Sequence, residues 1–151
     1  VGVDIIPEAY DALIRDRPGV YDAFYIEDFC ALSEGKKEEI ESWQCDCMVT
    51  VAALGFGDIP TKAFVNAFNI ISNEGWVAFN IKDTFLDSSD ETGFSKLIRE
   101  LIFSKYLDVY HIERYRHRLS VDGEPLHYFA VVGRKNAAIS SEFMATKGIV
   151  F

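Results

Sequence analysis

Apolar and polar positions along this chain change period repeatedly, and the changes mark its elements. Val1–Ile6 is a short apolar run interrupted by Asp4 and stopped by Pro7. Proline suits the first turn of a helix, and Ala9, Ala12 and Leu13 share a face, so a strand followed by a helix over roughly 8–16 is predicted. Pro18-Gly19 is a turn, and Ala23–Ile26 reads as a second strand ending at Glu27-Asp28. Glu34–Ser42 is a charged, exposed helix or loop. Cys47–Leu54 is almost continuously apolar, as expected of a strand buried on both faces of a parallel sheet. Gly55-Phe56-Gly57-Asp58 turns the chain and Pro60 opens a helix in which Phe64, Phe68 and Ile71 share one face, with Asn73 and Gly75 at its end. Trp76–Ile81 is a fourth strand, Asp83–Glu91 an acidic polar loop, and Phe94, Leu97, Ile98, Leu101 and Ile102 mark an amphipathic helix over roughly 93–105.

The style then changes. Leu107–Leu119 and Leu126–Gly133 are long strand-like runs joined through Asp122-Gly123, a strong hairpin signal. Alternating strands and helices predict an α/β, doubly wound, mostly parallel sheet, and the hairpin predicts an antiparallel edge. Residues 1–135 read as one domain. Residues 136–151 read as a C-terminal tail or an extra edge strand within Ala145–Phe151.

Composition narrows the function. The chain has 151 residues, 49% of them hydrophobic and 26% charged, with 12 Phe, 7 Tyr and 2 Trp. That many core-forming residues disfavours disorder. A net charge of −9 disfavours a nucleic-acid binder driven by bulk charge, and no apolar run approaches the roughly 20 residues that span a membrane. Three cysteines, an odd count, argue against a disulfide scaffold and for a reducing, cytoplasmic setting. The acidic excess lies in residues 1–100. The basic residues of the remainder cluster at Arg114-Tyr115-Arg116-His117-Arg118 and Arg134-Lys135, which are either a solvated strand face or a contact for an anionic group. The opening Val1-Gly2-Val3-Asp4 reads as the inside of a strand, which suggests a truncated sequence.

Three short segments carry candidate chemistry. Asp4, within Val3-Asp4-Ile5, falls at the carboxyl end of a strand, where parallel sheets bind ligands; it can accept from both hydroxyls of a ribose or simply start the helix at Pro7. Glu27-Asp28-Phe29 follows the next strand, and an acid beside an aromatic can hold an adenine amino group and flank its ring. Ala52-Ala53-Leu54-Gly55 is small enough to let backbone approach a ligand, or to pack strand against loop tightly. No GxGxxG or GK[ST] pattern is present.

In order and spacing these segments resemble the class I S-adenosylmethionine-dependent methyltransferases. Val3-Asp4 resembles the family's second strand with its ribose-binding acid, and Glu27-Asp28-Phe29 its adenine-contacting segment. Cys45–Val51 resembles the fourth strand, Asn73–Phe79 the turn into the fifth, and the terminal hairpin the antiparallel sixth and seventh. The resemblance covers roughly residues 1–135. It implies a Rossmann-like fold, methyl transfer from S-adenosylmethionine to a small-molecule acceptor, and a cofactor site of Asp4, Ile5, Asp28, Phe29, Ala52, Ala53 and Leu54, with Glu27 pointing to solvent. The acceptor would enter over Asp83–Glu91 and Arg114–Arg118. The family's first strand and glycine-rich loop have no counterpart, and Asn73 and Glu74 replace the usual Pro and Gly; the resemblance therefore implies weak cofactor binding or none by this piece. It also implies open edges on Val1–Ile6 and Cys47–Leu54, relieved by direct pairing of the two strands or by homo-oligomerisation through Lys147–Phe151.

Other readings compete. A non-catalytic partner-binding domain would need no cofactor. A nicotinamide-dependent reductase also ends its second strand in an acid, but no Tyr-x-x-x-Lys pair is present and the closing hairpin disfavours it. Cys45 and Cys47 share a strand face, yet a zinc site needs further ligands and Cys30 is the only other thiol, so no metal is expected. His111, Glu113, Tyr115 and His117 are evenly spaced on one strand face, where a proton-abstracting His–Glu pair is conceivable but the pattern favours plain surface polarity.

Overall fold

A computed structural model describes residues 1–149. Its centre is a four-stranded sheet in the order β3-β4-β6-β5. Strand β3 (Cys47–Leu54) pairs in parallel with β4 (Trp76–Lys82), Cys47 opposite Trp76 and Thr50 opposite Phe79. Antiparallel to β4 runs β6 (Pro125–Lys135), and β5 (Leu107–Leu119) completes the hairpin through the predicted turn. The β3–β4 connection turns tightly at Gly75, where a Cβ would lie 2.7 Å from the Ser72 carbonyl oxygen and 2.8 Å from that of Asp46.

One face of this sheet makes the core. Val77, Phe79 and Ile81 alternate along β4 toward two helices, α3 (Thr61–Ile70) and α4 (Phe94–Phe103), whose Phe64, Phe68, Leu97 and Leu101 are buried. Phe64 meets the edges of Phe79 and Phe94 at ring separations of 5.5 and 5.9 Å, the T-shaped geometry that aromatic quadrupoles favour. Lys135 closes α3 from below. Only 2% exposed, its ammonium donates to the carbonyls of Asn69 at 2.9 Å and of Ile71, and lies over the Phe68 ring. A cation there offsets the negative end of the helix dipole.

The opposite face is bare. Val49 and Val51 are 64% and 63% exposed, and Cys47 is exposed too, whereas Met48 and Leu54 turn into the core. The expected burial of Cys47–Leu54 on both faces therefore fails, because among the described residues no helix shields this side.

A second, two-stranded parallel sheet joins β1 (Gly2–Asp4) to β2 (Phe24–Ile26), with α1 (Pro7–Asp16) connecting them. The expected single doubly wound sheet is thus divided. Strands β1 and β3 do not pair directly; their facing edges flank a cavity. Closing it would require the helices on both sides to repack at interior density.

α2 (Glu34–Glu41), capped by the Ser33 hydroxyl, links the two sheets and buries Ile40. Residues 136–149 form no extra strand. Instead α5 (Ser141–Thr146), capped by Ser140, inserts Met144 into the core beside Ile139 and Ile149. Lys147 pairs with Glu100 of α4 at 2.9 Å, which ties the start of the expected oligomerisation segment to α4 of its own chain. The last two residues of the expected tail strand lie outside the described residues.

Candidate functional site

The cavity between the two sheets has a volume of about 610 Å³. Such a size suits a small organic ligand. Its rim collects the carboxyl ends of β1, β2 and β3, and its lining includes the apolar Val3, Val49, Ile59 and Phe64. Four carboxylates stand around it, those of Asp4, Glu27, Asp28 and Asp58.

Each expected residue has a definite place. Asp4 ends β1, half-buried, and one carboxylate oxygen accepts from the Ile6 amide at 3.0 Å. That bond satisfies a free N–H at the start of α1, and Asp4 itself lines the cavity. Both roles considered for this acid, helix starting and ligand binding, are compatible with one geometry. Asp28 similarly accepts from the Cys30 amide at 2.7 Å, an Asx turn that fixes the loop after β2. The carbonyl of the next residue, Phe29, receives the Asn66 side-chain amide at 2.6 Å, which ties this loop to α3. Asp4, Ile5, Asp28, Phe29, Ala53 and Leu54 therefore line one cavity. Glu27, expected to point to solvent, is half-buried and also borders this cavity.

Ala52 departs from the group. It is not part of the lining. The β3–β4 register shifts between Thr50 and Leu54, and within this bulge Ala52 adopts φ +58°, a left-handed conformation uncommon for a residue with a Cβ. Its amide donates to the side-chain oxygen of Asn80. The small residues at 52–55 serve packing at Gly55 too: φ there is +95°, and a Cβ would overlap the Phe85 ring.

Asn80 is a residue that the sequence reading passes over. It is 6% exposed, and its amide nitrogen donates to the Tyr115 hydroxyl at 2.7 Å. Tyr115 in turn lies 3.2 Å from Nδ1 of His117, whose ring packs on Tyr128 at 4.4 Å. The available signal was a lone amide in the otherwise apolar Trp76–Ile81. Of the evenly spaced polar residues on β5, His111 pairs instead with Glu113 at 3.4 Å, in the open.

The expected acceptor route is differently built from a bare charged surface. Arg114 is held by Asp83 at 2.8 Å. Asp87 accepts from Ser89, and Asp90 from Thr92 and Ser95, so the acidic loop is organised by its own side chains. Those donors hold the Asp87 carboxyl below the usual range. Partial desolvation, reinforced by Asp28 and Asp46 respectively, pushes the thiols of Cys30 and Cys47 up, which disfavours the thiolate that metal binding requires. Among the described residues no helix is long and apolar enough to cross a membrane.

No protein-family model matches the sequence, and none of the curated proteins does. Solved structures do match. A methyltransferase dependent on S-adenosylmethionine from Methanosarcina mazei aligns with 90% of this chain and 81% of its own, at TM-score 0.59 and 14% identity. The N-methyltransferase NodS from Bradyrhizobium japonicum aligns with 89% of this chain and 71% of its own, at TM-score 0.56 and 17% identity. In its complex with S-adenosyl-L-homocysteine NodS matches at TM-score 0.53 and 13% identity, over 88% of this chain and 64% of its own.

Proposed function

We propose that this chain, which has the fold of the class I S-adenosylmethionine-dependent methyltransferases, supports methyl transfer from that cofactor to a small-molecule acceptor. What supports the reading is one observation: residues from three separate strand ends, Asp4 with Ile5, Asp28 with Phe29, and Ala53 with Leu54, line the same cavity.

The chemistry of the lining suits the cofactor's adenosine. The free oxygen of Asp4 would accept from the ribose hydroxyls, Asp28 from the adenine amino group, and Phe29 with Ile5 would enclose the flat ring. The cofactor supplies an electrophilic methyl on a sulfonium. The protein's part is then alignment and exclusion of water, which demands few reactive side chains. Ala53 and Leu54 would form the wall beneath the methyl. Acceptors would approach over the strand ends, beside the Asp83–Arg114 pair and the Asp87–Asp90 loop.

Calorimetric titration with S-adenosylhomocysteine tests this reading. The residues gathered here would meet the adenosine half of the cofactor only, so a dissociation constant above the low micromolar range is expected. Asp4→Ala should weaken binding by about tenfold or more, since a charge-assisted hydrogen bond contributes about 1.5–3 kcal/mol. Glu27→Ala should weaken it less. Absence of any binding heat at millimolar ligand, or equal loss in the two variants, would overturn the assignment.

A further inference from the structure

We propose that Asn66 of α3 is a positioning residue for adenine recognition, which sets cofactor affinity by fixing the place of Asp28 and Phe29; the inference rests on the methyl-transfer reading above. A carbonyl oxygen can only accept, so the nitrogen of the Asn66 amide must be the atom that meets the Phe29 carbonyl, at 2.6 Å. Asn66 does not itself line the cavity. Ala63 and Ile70 do, and they lie three residues before it and four after it on the same helix face. The bond therefore seats the loop after β2 against α3, beside the cavity wall that α3 supplies.

Little else holds that loop in place. Among the described residues no strand pairing and no ion pair joins residues 1–31 to residues 44–149. The other polar contact across that divide is the Cys30 sulfur, a weak hydrogen-bonding atom, beside the backbone of Ala63. Tyr25 is tied only to Trp43, just past α2, at 2.8 Å, and α1 buries no residue. Inside the loop, the Ala31 amide donates to the Asp28 carbonyl at 2.9 Å and the Cys30 amide to the Asp28 carboxylate at 2.7 Å. Those two bonds give the turn its shape. The Asn66 bond gives it a position relative to α3.

An uncharged donor suits this place. A lysine or arginine would be drawn to the carboxylates of Asp4, Glu27 and Asp28 around the same cavity, whereas the asparagine amide engages the carbonyl and leaves those acids to a ligand. Recognition of a flat base by one carboxylate oxygen and one ring tolerates little displacement, and a loop fixed before the ligand arrives has less ordering to undergo on binding. Asn69, on the same helix, makes a comparable pair of bonds to Ile139, at 2.9 and 2.8 Å. Helix α3 thus ties down two distant segments by asparagine, and of the two only the one held by Asn66 reaches the cavity.

Titration with S-adenosylhomocysteine and native-state hydrogen exchange of the 151-residue chain test the assignment. Asn66→Ala removes the donor and should weaken binding about three- to tenfold, the effect of one neutral hydrogen bond. Asn66→Asp keeps size and shape but turns an acceptor toward the Phe29 carbonyl, so it should weaken binding more than Asn66→Ala does; a role in packing alone would give the reverse order. Asn66→Gln restores an amide donor and should recover part of the affinity. Asn69→Ala loosens Ile139 instead and should leave affinity unchanged. Without ligand, Asn66→Ala should speed exchange at the Cys30 and Ala31 amides and leave β4 and β6 as they were. Unchanged affinity in Asn66→Ala, an equal loss in Asn69→Ala, or faster exchange in β4 and β6 as well overturns the proposal. Should Asn66→Asp fail to fold, equal affinities of Asn66→Ala and Asn66→Gln overturn it. Failure of the unaltered chain to bind S-adenosylhomocysteine sinks the methyl-transfer reading; the exchange pattern then judges the clamp by itself, and unchanged rates at Cys30 and Ala31 overturn it.

Discussion

The two sheets of this molecule are held in very different ways. The four-stranded sheet is clamped by Phe64, Phe68, Leu97, Leu101 and Met144, all buried in one cluster. In the two-stranded sheet α1 has no buried residue, and Tyr25 is its one buried large apolar side chain. Yet two of the three residue pairs proposed to hold the cofactor, Asp4 with Ile5 and Asp28 with Phe29, sit on the weakly held side. Stability and ligand recognition are therefore carried by different parts of the chain, and ligand binding is expected to stiffen the part that packing leaves loose.

Core truncation should separate the two regions most sharply. Leu97→Ala should cost about 2–5 kcal/mol and unfold the molecule as a whole. Leu13→Ala in α1 should cost less than about 1 kcal/mol. Denaturant titration measures both, and native-state hydrogen exchange should find β4 and β6 amides far slower than those of β1 and β2. Equal protection in the two sheets would break the contrast.

Lys135→Met comes next. Losing the ammonium leaves the carbonyls of Asn69 and Ile71 unpaired at the end of α3, for about 1–3 kcal/mol. Desolvation lowers the Lys135 pKa below the ordinary lysine value. The native state thus sheds this proton before the unfolded chain does. Stability conferred by the wild-type residue should rise with pH across the alkaline window between the lowered and the ordinary value, and fall as pH drops through the lowered one. Melting curves of both proteins across that window check the sign.

The bare face offers a smaller test. With Val49 and Val51 exposed and the facing edges of β1 and β3 unpaired, self-association at micromolar concentration is expected. Sedimentation should show it, and Val49→Lys with Val51→Lys should return the chain to a monomer of 17.1 kDa. A monodisperse monomer before substitution would refute it. Smallest of all, Ser33→Ala removes the cap of α2 and should cost about 0.5–1 kcal/mol by denaturant titration.

Much of this architecture is legible in the amino-acid pattern. Cys47–Leu54 reads as a strand with the bounds it has, Pro60 marks the start of α3, and Asp122-Gly123 marks the hairpin, because each signal is local. What escapes is set by neighbours distant in sequence. Val49 and Val51 look like core residues, since nothing in a strand's own pattern says whether a helix will cover its second face. Lys135 looks like a surface base, since its burial depends on carbonyls more than sixty residues earlier. Residues 141–146 carry a serine cap but little periodicity, and the helix emerges only against Phe143 and Met144 in their packed setting. At the candidate site, the segments around Asp4 and Asp28 are readable from their place after strands. The partnership of Ala52 with Asn80 is not, because it needs the bulge to exist first.

The C-terminal segment that docks Ile139, Met144 and Ile149 into the core has a consequence for how the protein is made. A ribosome delivers the loosely packed sheet first and that segment late. Until β6 and α5 emerge, β4 lacks one of its partners and the apolar faces of α3 and α4 stay partly open to water. The hairpin β5–β6 can close quickly, since its turn is short and Ser120 clamps Glu124 through both backbone and side chain. Vectorial synthesis therefore delivers the fastest-forming piece after α3 and α4, whose apolar faces wait for it to be covered.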